Sequence, residues 1–294
     1  MINKDITLFG FINVYKPVGM TSHGVISCLR RVSKIKQIGH TGTLDPFAEG
    51  VLPVAVGKAT RLIEYLSEDE KAYIGRFCFG KSTDTYDIEG KITYIYDNKV
   101  KEEDIISKLP SGEILQYPPI YSAKKVGGKK LYEYAREGKE VEIKPCSVNI
   151  YKTEIIDFNE EEQWADIYIE CSKGTYIRSI ANDLGTTLNN GCYLSKLKRV
   201  KSGGFTIDNA IDLDSLDSFN SISDNLLNPL DYLFYEKQEL NEVEYNRVIH
   251  GMSIYNRTNA NVGATVLLVK DNSLIAISEA TENGLKAKKV MISE

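Results

Sequence analysis

The apolar positions of the first 66 residues change rhythm three times. Phe11-Ile12-Asn13-Val14-Tyr15 is a short strand-like run, closed by the turn Lys16-Pro17-Val18-Gly19-Met20. Val25, Ile26, Leu29 and Val32 then recur at helical spacing, with Thr21 or Ser22 placed to cap the helix. From Gly39 to Pro53 neither period holds. Three glycines and two prolines punctuate these residues, which predicts a structured loop. The loop leads into the buried strand end Val51-Leu52-Pro53-Val54-Ala55-Val56, and Lys58 to Leu66 resembles a second helix.

Further along, residues 71–80 alternate as a strand with Tyr73, Gly75, Phe77 and Phe79 on one side, and residues 102–109 read as a helix. Between them Thr83-Asp84-Thr85-Tyr86-Asp87-Ile88-Glu89-Gly90 forms a polar, solvated turn. Residues 116–145 differ in character. A diproline (Pro118-Pro119), adjacent glycines (Gly127-Gly128) and two lysine pairs precede a helical piece, Leu131 to Glu137, that ends at Gly138. This is an excursion from the core, mobile until it meets a polyanion. Alternation returns over 148–172. A tight turn at Lys173-Gly174 leads to a helix from Ser179 to Asn189, and 194–207 is a strand-like unit rich in Lys and Arg. The pattern weakens between Asp212 and Asp231, which places a domain boundary near 233–238. Beyond it, Thr265–Val269 and Ser273–Ser278 pair across an Asp271-Asn272 turn, which fits a small all-β module.

Composition changes this picture little: 42% hydrophobic and 26% charged residues are ordinary for a soluble globular protein. No apolar run is long enough to span a membrane and no signal peptide is evident, so a cytoplasmic protein is expected. The five cysteines are scattered, which reads as reduced thiols. The three histidines, His23, His40 and His250, match no metal-ligand spacing, so no metal site is expected. Charge is more informative in its distribution than in its sum. The net charge is −5, yet residues 1–66 carry +4, 116–145 carry +3 and 173–205 carry +5, while 206–294 carry −7. A phosphate backbone is held by local basic patches, so nucleic acid is not excluded; taken alone the same blocks are solvated faces.

Several chemistries fail on spacing. Gly57-Lys58 lacks the earlier glycine and the hydroxyl of a P-loop, no G-x-S-x-G elbow is present, and Asp84, Asp87 and Glu89 miss the EF-hand spacing. What remains is one carboxylate, Asp45, in the middle of the glycine-rich loop. Pro46 biases it toward an extended backbone. It is either a turn residue bonding its own backbone or a carboxylate presented for chemistry. Tyr73 and Tyr176 are aromatic candidates for holding an unstacked base, and each equally suits a core. Arg178 is either a surface cation or a partner that orients Asp45 and lowers its pKa.

The segment Gly39-His40-Thr41-Gly42-Thr43-Leu44-Asp45-Pro46-Phe47-Ala48-Glu49-Gly50-Val51-Leu52-Pro53 resembles the catalytic motif of the TruB family of tRNA pseudouridine synthases. Four further blocks resemble that family in the same order. These are Lys16-Pro17-Val18-Gly19-Met20-Thr21-Ser22, then Lys71-Ala72-Tyr73 with Thr83-Asp84-Thr85, then Gln116-Tyr117-Pro118-Pro119 with Tyr121-Ser122-Ala123-Lys124, and Ser172 to Ser179. Leu197-Lys198-Arg199 with Ser202-Gly203-Gly204-Phe205 resembles the next block, although Val200 stands where the family usually has Thr.

The resemblance implies an α+β pseudouridine-synthase fold with a mixed, largely antiparallel sheet and flanking helices, plus a C-terminal β module similar to a PUA domain. That module is acidic here, a departure from the usual PUA pattern. The implied division is a catalytic domain over 1–235, with an RNA-gripping thumb at about 116–145, and a PUA-like domain over 236–294. The implied activity is isomerisation of a flipped T-loop uridine, position 55 of tRNA, to pseudouridine. Asp45 is implied as the catalytic residue, Tyr73 as the base-stacking tyrosine and Arg178 as the partner of Asp45, with His40, Tyr176 and Leu197 lining the pocket. Lys16, Lys124, Lys125, Lys129 and Lys130 are the candidates for the RNA backbone. No cofactor, no metal and no obligatory protein partner are implied, and a monomer is expected. Two other readings compete: a non-catalytic RNA-binding protein of the same architecture, and the catalytic subunit of an RNA-guided complex. The insertion at 116–145 favours a stand-alone enzyme that grips its own RNA.

Overall fold

The computed structural model describes residues 8–66 and 70–291. A large twisted sheet runs through the body. Its strands lie in the order Ile211–Asp212, Gly10–Lys16, Glu49–Val56, Cys192–Ser202, Glu70–Phe79, Trp164–Ser172, Cys146–Asn159, Gly112–Gln116. Neighbours are antiparallel except at two places. Gly10–Lys16 runs parallel to Ile211–Asp212, and Glu49–Val56 runs parallel to Cys192–Ser202. The sheet is therefore mixed and largely antiparallel, as the resemblance implied.

The hydrophobic rhythm explains the layers. In Gly10–Lys16 both alternating faces are apolar, so the strand is buried on both sides. Ile12 and Val14 pack with Val25, Ile26 and Leu29 of the helix Ser22–Ser33. Phe11 faces the other way, with Val51, Ala55, Phe205 and Leu233, and meets Leu267, Val269 and Leu274 of the C-terminal strands. A second cluster packs Ile177, Ile180, Ala181 and Leu184 of the helix Ile177–Thr187 against Phe77, Ile167, Ile169, Leu194 and Leu197 of the sheet. Tyr73, Phe77 and Phe79 are buried on the side the alternation predicts. No helix among the described residues is long and apolar enough to cross a membrane.

The C-terminal strands Glu236–Glu239, Thr265–Lys270, Ser273–Thr281 and Gly284–Val290 form a separate four-stranded sheet in that order. The Asp271-Asn272 turn is the expected two-residue hairpin loop. Both residues have positive φ, +48° and +57°, whose twist matches that of the strands they join. Residues 117–145 leave the sheet after Gly112–Gln116 and return at Cys146. They fold as the small hairpin Lys125–Val126 and Lys129–Lys130, turned at Gly127-Gly128, followed by the helix Leu131–Arg136.

The helix expected over Lys58 to Leu66 is the 3₁₀ helix Gly57–Tyr65. Two expectations change. The helix expected from Ser179 to Asn189 runs instead from Ile177 to Thr187. Its start is fixed by Gln116, whose amide accepts from Tyr176 N at 2.8 Å and donates to Tyr176 O at 3.0 Å, a partner remote in sequence. The segment 83–90 is a turn between Lys81–Thr83 and Ile92–Ile95, but it is not solvated throughout, because Asp87 is buried.

The parallel pairing beside the glycine-rich loop depends on Gly50. Its φ is +105°, and a Cβ there would lie 2.3 Å from the carbonyl oxygen of Arg199 on the paired strand. Gly50→Ala therefore combines backbone strain with a backbone clash. A loss of about 2–4 kcal/mol in urea unfolding is expected, among the larger effects of a point change; a variant as stable as the parent contradicts this packing.

Candidate active site

A loop without ladder hydrogen bonds must satisfy its backbone in other ways. Asp45 opens a turn that Pro46 pre-shapes, with Ala48 N donating to Asp45 O at 3.1 Å. The loop is then stitched to three elements. Gly19 N donates to Pro46 O at 2.8 Å. The Ser22 hydroxyl accepts from Leu44 N at 2.8 Å and donates to Leu44 O at 3.1 Å. Arg199, fully buried, donates through Nε to Val51 O at 2.8 Å and through its two terminal nitrogens to Thr43 O and Gly42 O, each at 3.4 Å. Lys16 is also fully buried. Its Nζ donates to Pro17 O at 2.9 Å, Met20 O at 2.5 Å and Pro46 O at 3.4 Å. This corrects the expectation for Lys16: an ammonium enclosed by three carbonyls braces the loop and is not available to an RNA phosphate.

Asp45 meets Arg178, as the resemblance implied. The Asp45 Oδ2 to Arg178 Nε distance is 2.9 Å. Arg178, in the first turn of Ile177–Thr187, is 4% exposed and spends its remaining donors nearby. Nη1 donates to Asp87 Oδ2 at 3.1 Å and to Thr85 O at 3.3 Å, and Nη2 donates to Tyr121 O at 3.0 Å. Asp87 is held in turn by the Thr85 hydroxyl at 2.6 Å and Glu89 N at 3.0 Å, both on Oδ1. One guanidinium thus ties together the Asp45 loop, the 83–90 turn and the base of the 117–145 insertion.

Beside this pair lies a cavity of about 530 Å³. Thr43, Leu44 and Asp45 line it from the loop, Tyr73 and Leu197 from adjacent strands, and Tyr176 and Arg178 from the helix start. Gln116 at the end of the strand Gly112–Gln116, and Ser122 and Lys124 from the insertion, close it. Four of the expected residues, Tyr73, Tyr176, Arg178 and Leu197, are therefore gathered around Asp45. His40 is not. It sits on the short strand Ile38–His40, paired with Glu49–Val56, and does not line the cavity. Of the insertion lysines only Lys124 reaches the cavity wall, where its amine contacts Cys146 Sγ. Lys125 is exposed, Lys129 pairs with Glu137, and the Lys130 amine lies 5.4 Å from the centre of the Tyr132 ring.

Arg178 lowers the Asp45 pKa, as expected, but burial outweighs it. Burial pushes the Asp45 carboxyl above its ordinary value, and the nearby Asp87 charge adds to this; Arg178 and Lys16 oppose but do not reverse it. The carboxylate is nonetheless reachable, with 34% of its side chain exposed toward the cavity. Burial likewise lowers the Lys16 amine to about 8, against the pull of Asp45. The Tyr73 phenol is raised by burial, opposed by the nearby Arg199 charge. Asp87, Gln116, Ser22 and Arg199 are the residues that sequence reasoning missed. Each lies inside a block that drew notice, but its partner is remote in the chain. Asp87 alone carried a local sign, as one of three acids in a short turn.

The sign of each coupling yields a titration test. In carboxyl-detected NMR, Asp45 should titrate above the ordinary aspartate value. Asp87→Asn should move its pKa down and Arg178→Gln should move it up. A titration at or below the ordinary value overturns the dominance of burial.

Comparison with known proteins agrees with this arrangement. The pattern described as TruB family pseudouridylate synthase (N terminal domain) matches residues 30–177. A protein of Clostridium kluyveri named tRNA pseudouridine synthase B is 43% identical over 249 residues, covering 83% of this chain and 85% of that one. One of the same name from Caldanaerobacter subterraneus subsp. tengcongensis is 40% identical, covering 95% and 97%. Among solved structures, one of a Cbf5–Nop10–Gar1 complex superposes with a TM-score of 0.72 at 24% identity, over 97% of this chain and 85% of that one, and so shares the fold. With the signature loop, the Asp45–Arg178 pair and relatives along nearly its whole length, the chain belongs to the TruB family of pseudouridylate synthases.

Proposed function

We propose that this chain converts uridine to pseudouridine at position 55, in the T-loop of tRNA, and that Asp45 initiates the reaction. One observation carries this reading: a single reachable carboxylate, gripped by a buried arginine, lines a cavity of about 530 Å³, large enough to admit a base, walled by Tyr73 and Leu197. The relatives named tRNA pseudouridine synthase B support the same substrate.

A base inside a stem-loop must leave its stack to reach Asp45, and a flat apolar wall offsets part of that cost. Tyr73 stacks on the flipped uracil and assists proton transfer, while Leu197 and Tyr176 complete the walls. The C1′–N1 bond breaks, the uracil turns within the cavity, and a C1′–C5 bond forms. The hydrogen leaves C5 and N1 ends protonated, so nothing is oxidised or hydrolysed and no cofactor is required. Arg178 keeps the Asp45 oxygens oriented, and its ties to Thr85, Asp87 and Tyr121 stop it from following the carboxylate. Residues 1–235 form the catalytic domain and 236–294 a PUA-like domain. The insertion at 116–145 grips the T-arm through Lys124, Lys125, Lys129 and Lys130. The enzyme works as a cytoplasmic monomer without a guide RNA or protein partner.

The deciding experiment incubates the purified chain with an unmodified T-arm stem-loop and maps pseudouridine by carbodiimide labelling and primer extension. One stop is expected, at the T-loop uridine, without added guide RNA. Asp45→Asn should remove it, with a loss of at least about 10³-fold for a group that acts on the reacting atoms, while RNA binding persists. Retained turnover sinks the assignment. Because burial raises the Asp45 pKa, kcat/KM should fall on the acid side at a pH above the usual aspartate range. Neutralising the four lysines together should lower the slope of log Kd against log salt by roughly two to three, since each phosphate contact contributes somewhat under one and Lys129 is already paired with Glu137. An unchanged slope means the insertion does not touch phosphate.

A further inference from the structure

An oxidised thiol condenses with a nucleophile held beside it, and the product depends on which neighbour the fold supplies. One such pair lines the cavity beside Asp45. Cys146 and Lys124 both belong to its wall, and the Lys124 amine contacts Cys146 Sγ. The two residues come from opposite ends of the 117–145 insertion. Lys124 lies on the outgoing stem, where its carbonyl accepts from Leu131 N at 2.9 Å. Cys146 opens the strand Cys146–Asn159 to which the chain returns, and it pairs there with Gln116.

The other cysteines are placed differently. Cys171 and Cys192 are buried, and burial pushes their thiols, and that of Cys78, above the ordinary value, which disfavours the reactive thiolate. Cys28 lies on the helix Ser22–Ser33 and does not line the cavity. Cys146 is partly exposed on the wall of a space that a small oxidant can enter. Its neighbour also departs from the other cations of the insertion. Lys129 meets the carboxylate of Glu137, whereas Lys124 turns its amine to a sulfur.

We propose that Cys146 and Lys124 form an oxidative modification site, at which hydrogen peroxide joins sulfur to nitrogen and shuts the cavity to RNA. In the first step the Cys146 thiol attacks one peroxide oxygen and the O–O bond breaks, leaving a sulfenic acid and water. The sulfur is oxidised by two electrons and the peroxide is reduced by two. In the second step the Lys124 amine, its extra proton given to solvent, attacks the sulfenic sulfur. An S–N bond forms, the S–O bond breaks, and the oxygen leaves as water with one amine hydrogen. A dithiol reverses the change: its two hydrogens return to sulfur and nitrogen, and it becomes a disulfide. The S–N bond ties the outgoing stem of the insertion to the returning strand and removes the charge of Lys124. Both effects oppose the entry of an RNA backbone. The bond itself does not rest on the pseudouridine-synthase reading; its effect on RNA does.

The test treats the purified parent and Cys146→Ser with hydrogen peroxide, compares each with its own untreated sample, and returns a portion of each to dithiothreitol. Peptide mass spectrometry of the treated parent should show Lys124 and Cys146 in one crosslinked pair, lighter by two hydrogens than the separate peptides and lost on reduction. Cys146→Ser should show no such pair. Conversion of the T-arm stem-loop by the parent should fall in proportion to the crosslinked fraction and recover with dithiothreitol, while Cys146→Ser keeps its untreated rate. The slope of log Kd against log salt should drop by about one for the lysine charge removed. A sulfenic or sulfinic acid on Cys146 with Lys124 unmodified would overturn the proposal. So would a crosslinked parent that converts uridine like the untreated protein, or a Cys146→Ser variant that peroxide inactivates as fast as the parent. If the untreated parent converts no uridine, the broader reading fails, and the mass of the peptide pair still decides the crosslink.

Discussion

The site depends on one buried guanidinium that reaches four separate acceptors. Arg178 joins three segments far apart in the chain: the Asp45 loop, the 83–90 turn and the start of the 117–145 insertion. Its burial is tolerable because two carboxylates and two carbonyls replace the water it gives up, and removing one partner of such a pair costs about 3–5 kcal/mol. The planar fork matters as much as the charge. A lysine at 178 could meet one of these groups but could not hold all three segments in a fixed relation.

The same device recurs on the other side of Asp45. Lys16 and Arg199 are fully buried cations that donate to backbone carbonyls of the loop and its neighbours. A loop of glycines and prolines has few ladder bonds of its own, so its carbonyls need donors from elsewhere. The three cations fix the backbone on which Asp45 sits. The fields of Arg178 and Lys16 limit, but do not cancel, the effect of burial on that carboxyl. A raised pKa in a reachable carboxylate is the condition expected of a group that exchanges protons or bonds during turnover.

The C-terminal sheet is joined to the body by an apolar seam. Phe11 and Leu233 from the body meet Leu267, Val269 and Leu274 in one cluster. Arg61 donates to Val290 O at 3.1 Å, and the Lys289 amine reaches Arg61 O at 2.9 Å. The cavity lies among Tyr73, Leu197 and the start of the helix Ile177–Thr187, whose side chains belong to a different apolar cluster.

Much of this was legible in the chain. Period-two alternation gave the strand carrying Tyr73 and its buried face, helical spacing gave Ser22–Ser33, and Asp271-Asn272 gave the C-terminal hairpin, because each is decided by neighbours within a few residues. The signature loop marked Asp45, and the ordered blocks marked Arg178, Tyr73, Tyr176 and Leu197. What the sequence could not decide was which side chains satisfy one another across the fold. Lys16 read as a free cation but is enclosed by carbonyls. Asp87 read as a solvated turn residue but is the second carboxylate on Arg178. His40, inside the signature, lies off the cavity. Gln116 sets a helix start far along the chain. The direction of the Asp45 pKa also turned on tertiary packing, because it balances burial against two cations and a second carboxylate from separate segments. Local periodicity and motif are written in consecutive residues; desolvation and hydrogen-bond partnership exist only once the segments are brought together.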